Sequence, residues 1–181
     1  MQLGADVYGL QPESLRQDLP VPPVDEVGMD AAVRVAAEPN GLDMLVVDGL
    51  DLFAAAPAAG GDGSAALRVC MDGAWNATRA VVNLAFLPEG PGGEGASSAR
   101  GGRVVYLAPP PSAGEYANAA RAGLENLART LSVEWARHRI TLVTIALGDA
   151  TAPGEAAALT AYLASPAGAY FSGCQLDLRR P

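Results

Sequence analysis

Short segments that are apolar on both faces alternate along this chain with longer segments of helical periodicity. The apolar segments are residues 42–47 (LDMLVV), 103–107 (RVVYL) and 140–146 (ITLVTIA). A strand that is apolar on both faces must be covered on both sides, and parallel strands need a long crossover connection, which is usually a helix. The alternation therefore predicts an α/β fold with a doubly wound parallel sheet.

Helical periodicity and chain-breaking residues locate the other elements. Beside the three strands, the predicted elements are helices over 25–38, 64–87, 114–137 and 154–164 and strands over 174–178 and 5–10. Two stretches rich in Gly and Pro, 57–64 and 88–102, are predicted to be surface loops, and the second to be flexible. We expect a single domain over residues 1–181 with a variable N-terminal segment, 1–24.

Composition excludes several functional classes. Apolar residues make up 50% of the chain and the net charge is −8, which argues against a disordered chain and against nucleic-acid binding. Two cysteines, Cys70 and Cys174, are too few for a secreted disulfide scaffold, and no signal peptide or membrane span is recognisable, so we expect a cytoplasmic protein. All 12 basic residues are arginine, which excludes lysine chemistry.

Several segments resemble, in order and spacing, those of the short-chain dehydrogenase/reductase family, especially its ketoacyl-thioester reductase branch. They are LDMLVVDGL, VCMDGAWNATRAVV, GGRVVYLAPP, EYANAARAGLENLARTLSVEWARHRITLVTIALGD and AYLASPAGAYFSGCQLDL. The resemblance runs from about residue 25 to the C-terminus. It implies a Rossmann-like fold in a bacterial oxidoreductase-like chain.

The chain departs from the family at the cofactor site. The family carries a TGxxxGIG turn after its first strand, where glycines let the backbone approach the cofactor pyrophosphate. Here the chain after 5–10 reads GLQPESLR, and the glycines at 60–63 and 90–95 lie outside any strand–turn–helix context. The resemblance therefore implies a degenerate, N-terminally truncated member that binds no cofactor of its own.

The catalytic residues of the family are also mostly replaced. Its Asn position falls on Cys70, its Ser on Ala108 or Pro109, its Tyr on Tyr116 and its Lys on Ala120. A tyrosine without the lysine is a poor acid–base at neutral pH, because its ordinary pKa is about 10. The resemblance thus implies no catalytic residue, with Tyr116 as a vestige.

Other polar residues have simpler interpretations than a catalytic one. We expect Ser112 to be a loop hydroxyl, and Asp48 and Asp51 to be capping groups after a strand. Arg121 adjoins the lost lysine position but points about 100° away from it around a helix, which argues against its replacing that charge. His138 is the only histidine, which excludes a histidine metal cluster and a Ser/His/Asp triad.

The two long helices carry the candidate interface. In the family they pair with the same helices of a second subunit. The corresponding residues here are Trp75, Arg79, Ala119, Ala122, Gly123, Leu127, Thr130, Leu131 and Trp135. Small residues allow close helix approach, and Leu and Trp supply buried area. The alternative is that these residues face their own sheet. Leu127, Leu131 and Trp135 in water would form a larger apolar patch than monomers usually expose.

The helices that the family uses for assembly are preserved in pattern, whereas the catalytic positions are mostly replaced. This combination favours a pseudoenzyme. The expected function is that of a non-catalytic subunit in a hetero-oligomer with a complete short-chain reductase, which would carry NAD or NADP. A homodimer is the rival assembly. Two alternatives remain open: a minimal NAD(P)-dependent ketoreductase that uses Tyr116, and a module that binds a small ligand such as an acyl thioester.

Overall fold

A four-stranded parallel sheet forms the centre of the protein. The computed structural model describes residues 26–37, 41–56, 63–87 and 101–179. The strands within these ranges are β1 (Met44–Asp48), β2 (Gly102–Ala108), β3 (Ile140–Ala146) and β4 (Cys174–Asp177). They are paired in the order β1-β2-β3-β4. The predicted parallel α/β sheet is confirmed, whereas the predicted strand at 5–10 lies outside the described residues.

Helices cover both faces of the sheet. The helices are α1 (Glu26–Ala37), α2 (Gly49–Ala54), α3 (Ser64–Val81), α4 (Ala117–Glu134) and α5 (Pro153–Ala164). Residues of α1, α3 and α4 share one apolar core with Val104 and Tyr106 of β2. The second core lies on the opposite face, where Leu163 of α5 packs with Val105 and Val143. The two long helices therefore lie on one face, as expected for right-handed crossovers between parallel strands.

The long helix before β2 ends differently from the prediction. Its α-helical part stops at Val81 and continues as one π-helical turn, Val82–Phe86, instead of running to Leu87. The turn brings the Phe86 ring, which is fully buried, onto the start of β2. A Cβ on Gly102 would lie 2.4 Å from Cδ2 of this ring, so only glycine fits there.

A short helix that the sequence pattern did not predict follows β1. Asp48 begins this helix, α2, because its carboxylate accepts bonds from the amides of Leu50 and Asp51 at 3.0 and 3.1 Å. Such N-terminal capping satisfies amides that have no partner within the helix. The interpretation of Asp48 as a capping group is confirmed. None of the described helices has the combination of length and hydrophobicity that a bilayer crossing requires.

Candidate functional site

The loops that follow β2 and β3 meet at the carboxyl edge of the sheet, where doubly wound proteins bind their ligands. Arg121 of α4 reaches this edge and is only 7% exposed. Its Nη1 donates to the Leu147 carbonyl at 2.7 Å and to the Pro109 carbonyl. These carbonyls belong to the residues immediately after Ala146 and Ala108, the last residues of β3 and β2. One guanidinium therefore joins the ends of two neighbouring strands.

Two further side chains join the same loops. Ser112 donates its hydroxyl to Asp149 Oδ1 at 2.6 Å, and the Ser112 amide donates to the same oxygen at 3.1 Å. Thr151 accepts from the Gly148 amide at 2.8 Å and donates to the Leu178 carbonyl at 3.2 Å. The loops after β2, β3 and β4 are thus connected to one another by side chains of this chain.

A shallow pocket lies beside these connections. Its volume is about 230 Å³, and it is lined by Pro111, Gly148, Asp149, Ala150 and Arg179. Arg179 forms an ion pair with Asp177 that uses both of its carboxylate oxygens. The pocket wall therefore contains both signs of charge, and its arginine already has a carboxylate partner.

Hydrogen bonds, burial and neighbouring charges shift the pKa values of the groups at this edge. The hydrogen bond from the Ser112 hydroxyl, followed by that from its amide, lowers the pKa of Asp149. The Arg179 side chain lowers the pKa of Asp177 to about 2. Burial lowers the pKa of Arg121, and repulsion by Arg179 adds to this, while Asp177 and Asp149 oppose it. Arginine nevertheless stays charged at neutral pH, so the cluster holds two cations and two anions.

Apart from the tyrosine position, the positions that the resemblance assigns to catalytic residues are buried or carry no polar side chain. Ala108 and Ala120 are fully buried, and neither has a polar side-chain atom. Cys70 is also fully buried, with Sγ 3.5 Å from the Gly49 carbonyl oxygen, and burial raises the pKa of its thiol to about 11. A thiol with that pKa is protonated and unreactive at neutral pH. Pro109 offers only a carbonyl oxygen, which Arg121 uses.

Tyr116, at the position of the family's tyrosine, lies at the start of α4. Its side chain is half-buried and packs against the core on the α3 face. A Cβ on Gly63 would lie 2.9 Å from Cδ2 of Tyr116, so the ring covers the backbone at the start of α3. Position 120 is an alanine, so it supplies no basic partner for Tyr116.

Arg121 is the site residue that the sequence interpretation underrated. The argument that it points away from position 120 is correct, since Ala120 is part of the core whereas Arg121 reaches the strand ends. That Arg121 does not replace the charge of the family's lysine stays a prediction, but its long side chain returns to the carboxyl edge. The missed signal is an arginine that directly follows an inward-facing alanine in the helix that begins beside the ends of these strands.

The remaining polar candidates take structural positions. Ser112 is more than a loop hydroxyl, since it binds Asp149. His138 lies in the 3-10 turn Ala136–His138 and accepts a bond from Nε of Arg137 at 3.0 Å. Among the described residues, no group of three or more His, Cys, Asp or Glu side chains could hold a metal ion.

The predicted interface residues divide between the core and the surface. Leu131 is only 6% exposed, and Leu127 and Trp135 pack against the same core. The expectation that these residues would form a large exposed apolar patch is wrong, because they face the protein's own sheet. The residues that do lie on the outer surface of α3 and α4 are Trp75, Ala119, Ala122 and Thr130. Their contact with a partner stays a prediction.

Two other candidate interface residues make contacts within the chain. A Cβ on Gly123 would lie 2.7 Å from Sδ of Met71, so this glycine allows α4 to approach α3. The Arg79 side chain pairs with Asp30 of α1 at 2.9 Å and is 23% exposed. Both residues therefore support the packing of helices on one face of the sheet.

Comparisons with known proteins agree on the fold. No protein-family model matches the sequence, and no curated protein matches it significantly. An acetoin dehydrogenase from Enterobacter cloacae superposes with a TM-score of 0.62 at 18% identity, over 84% of this chain and 68% of that one. The acetoin dehydrogenase YohF from Salmonella typhimurium gives 0.61 at 21% identity, over 90% and 72% of the two chains.

A short-chain dehydrogenase/reductase from Serratia marcescens gives a TM-score of 0.60 at 19% identity, over 88% of this chain and 74% of that one. At such identities a structural likeness reports on the fold alone. It agrees with the parallel sheet, the strand order and the helices on both faces described above. The chain has the Rossmann-like fold of the short-chain dehydrogenases/reductases.

Proposed function

We propose that this chain is a non-catalytic subunit that assembles with, and supports, a catalytically complete short-chain reductase. The observation that carries the proposal is the state of the catalytic positions. Ala108 and Ala120 supply no proton donor, and Cys70 is a buried thiol whose pKa is about 11. General acid–base catalysis needs a group near its pKa at the working pH and within reach of the reacting atoms. Tyr116 has no basic side chain at position 120, where the family has its lysine.

Residues at the carboxyl edge of the sheet also fit a nicotinamide cofactor poorly. The Asp48 carboxylate at the end of β1 already accepts two amides of α2. The carbonyls of Pro109 and Leu147 already accept from Arg121. We therefore derive no hydride-transfer step on this chain, and in the proposed assembly NAD or NADP is bound by the partner.

The outer surface of α3 and α4 supports the assembly part of the proposal. Trp75 is 41% exposed there, and Ala119 and Ala122 leave room for a second helix to approach closely. The α3 and α4 helices, each of 18 residues, run about 27 Å. In the family this surface pairs with the same helices of another subunit, and a reductase subunit of that kind is the partner that we propose.

Assembly is tested by co-expressing the chain with a complete short-chain reductase encoded beside it and measuring the mass of the complex by light scattering. Ala122→Arg places a charge on the proposed interface and should abolish the complex. Ala158→Arg is the matched control, because Ala158 is exposed on α5 on the opposite face. A chain that stays monomeric with every such reductase contradicts the proposed assembly.

Catalytic independence is tested on the isolated chain by titration with NADH and NADPH and by assay of keto-thioester reduction. We expect neither binding nor turnover. Saturable cofactor binding, with turnover that Tyr116→Phe abolishes, would support the alternative of a minimal ketoreductase. The pocket beside Asp149 and Arg179 favours a second alternative, a module for a small polar ligand, which calorimetric binding of an acyl thioester to the isolated chain would support.

A further inference from the structure

Arg121 is one of the few charged or polar side chains that the described structure buries, together with Thr78, Ser132 and Thr144. Burying a charge is costly unless hydrogen bonds compensate for it. Arg121 meets this condition with backbone oxygens alone, since both of its short bonds go to the carbonyls of Pro109 and Leu147. A guanidinium thus lies at the strand ends, between two loops that in this fold class normally face a ligand.

We propose that the Arg121 guanidinium is a built-in ligand, held in a cradle of two carbonyl oxygens at the carboxyl ends of β2 and β3 that binds a cation with N–H donors. The near edge of the cradle is formed by the two carbonyl oxygens. The carboxylates of Asp149 and Asp177 attract Arg121 electrostatically but are bonded to Ser112 and Arg179, respectively. The proposal concerns this chain alone and does not depend on the proposed partner.

The cradle requires a cation that carries N–H donors. Both carbonyl oxygens accept from a single nitrogen, Nη1, whose two N–H groups a guanidinium supplies and a metal cation such as sodium does not. Arg179 is the other cation in the cluster, and it repels Arg121. Arg179 has its own partner in Asp177, however, so its charge does not compete for the carbonyls.

Two further hydrogen bonds hold together the loops that carry the cradle. The Leu147 amide donates to the Ala108 carbonyl at 3.2 Å, which continues the sheet by one bond beyond the regular strands. The Ser112–Asp149 bond closes the outer side of the same two loops at 2.6 Å. The Arg121 guanidinium therefore lies between these two hydrogen bonds. Removing the Arg121 side chain would leave the carbonyl oxygens of Pro109 and Leu147 without their donor.

The proposal predicts that free guanidinium ion can replace the missing side chain. In Arg121→Ala the cradle is empty, and the melting temperature should fall by roughly 5–10 °C. Millimolar guanidinium chloride should then raise the melting temperature of this variant in a saturable way, by about 3–5 °C at ten times the dissociation constant. Sodium chloride at equal ionic strength should not.

Arg129→Ala is the matched control, since Arg129 lies on the same helix, is exposed, and pairs only with Glu125. Millimolar guanidinium should leave this variant and the wild type unchanged or slightly destabilised. The proposal is overturned if Arg121→Ala is as stable as Arg129→Ala, or if guanidinium affects the three proteins alike.

A measurement on the wild-type protein covers the case in which Arg121→Ala does not fold. In a nitrogen–proton NMR spectrum of the wild type, the Arg121 Nη protons should exchange slowly with solvent, because two carbonyls hold Arg121 in a buried site. Arg103 Nη1 also donates to two carbonyls, those of Leu163 and Ala164, so the Arg121 signal is identified as the one that is lost in Arg121→Lys. The proposal also fails if Arg121→Lys removes no slowly exchanging Nη signal.

Discussion

Replacing Ala120 with lysine, the residue that the family has at this position, is expected to destabilise the protein strongly and not to restore catalysis. Ala120 is fully buried and belongs to the core formed by α3, α4 and the sheet. Its amide donates to the Tyr116 carbonyl at 3.0 Å, which fixes the first turn of α4. A lysine side chain at this point has to enter a filled core.

The magnitude has two contributions. Overpacking a filled core costs about 1–3 kcal/mol. The charge adds a penalty that cannot exceed the cost of neutralising the amine, which at pH 7 is about 4.6 kcal/mol for an ordinary lysine pKa of 10.4. Together they reach at most about 6–8 kcal/mol, a large share of the roughly 5–15 kcal/mol that stabilises a typical domain.

The sign of the pH dependence separates the two contributions. A buried lysine has a folded-state pKa below its unfolded value, so the unfolded state binds more protons and stability rises as the pH rises toward 10.4. Between pH 7 and 9.5 the neutralisation cost falls to about 1.2 kcal/mol, which returns about 3 kcal/mol of stability. Overpacking does not change with pH.

Urea unfolding at both pH values measures these quantities against Ala119→Lys, in which the same side chain is placed at an exposed neighbouring position. We expect Ala119→Lys to stay within about 0.5 kcal/mol of the wild type. An Ala120→Lys variant within 1 kcal/mol of Ala119→Lys at pH 7 would refute the reasoning. So would a difference between the two variants that is independent of pH.

Three further substitutions test other parts of the structure. Thr78 donates its proton to a backbone carbonyl, so Tyr106 must be the donor in the 2.9 Å bond between their hydroxyls, and Tyr106→Phe should cost about 1–2 kcal/mol in urea unfolding. Gly102→Ala should cost about 1–3 kcal/mol or more in the same assay, since its Cβ would lie 2.4 Å from the buried Phe86 ring. The arginine partner lowers the pKa of Asp177 to about 2, so the stability advantage of the wild type over Asp177→Asn should be complete above pH 4 and should disappear as the pH falls toward 2, as a series of urea midpoints will show.

Much of the fold follows from the sequence because the strands are apolar on both faces. The strand Ile140–Ala146 has the predicted bounds, and the strand Gly102–Ala108 differs from its prediction by one residue at each end. Burial on both sides of a parallel sheet leaves little freedom in where such a strand can begin and end. The right-handed crossover of parallel strands accounts for the two long helices lying on one face.

The elements that were missed depend on contacts between residues far apart in the chain. The π-helical turn Val82–Phe86 exists because the Phe86 ring packs over Gly102, and no local pattern contains that contact. The helix α2 has only six residues, too short for a period to be recognised. Its capping by Asp48 was nevertheless predictable, since an aspartate directly after a strand is a common helix start.

The candidate site was the least predictable part for the same reason. A helical wheel gives the direction of the Cα–Cβ bond of Arg121 but not the end point of its long side chain. Where the guanidinium binds depends on two carbonyls that are 12 and 26 residues away in the chain. By contrast, the sequence alone shows that positions 108 and 120 are alanine, whose side chain has no polar group.

The order of the four described strands along the sheet is also their order along the chain. Each new strand adds to the edge left by the previous one, and none has to insert between two strands that are already paired. A nascent chain that leaves the ribosome N-terminus first can therefore extend this part of the sheet in the order of synthesis, with Met44–Asp48 as the first template. Because whole helices separate the pairing strands, the slow step of folding is the formation of non-local contacts, and vectorial synthesis allows those contacts to form one at a time.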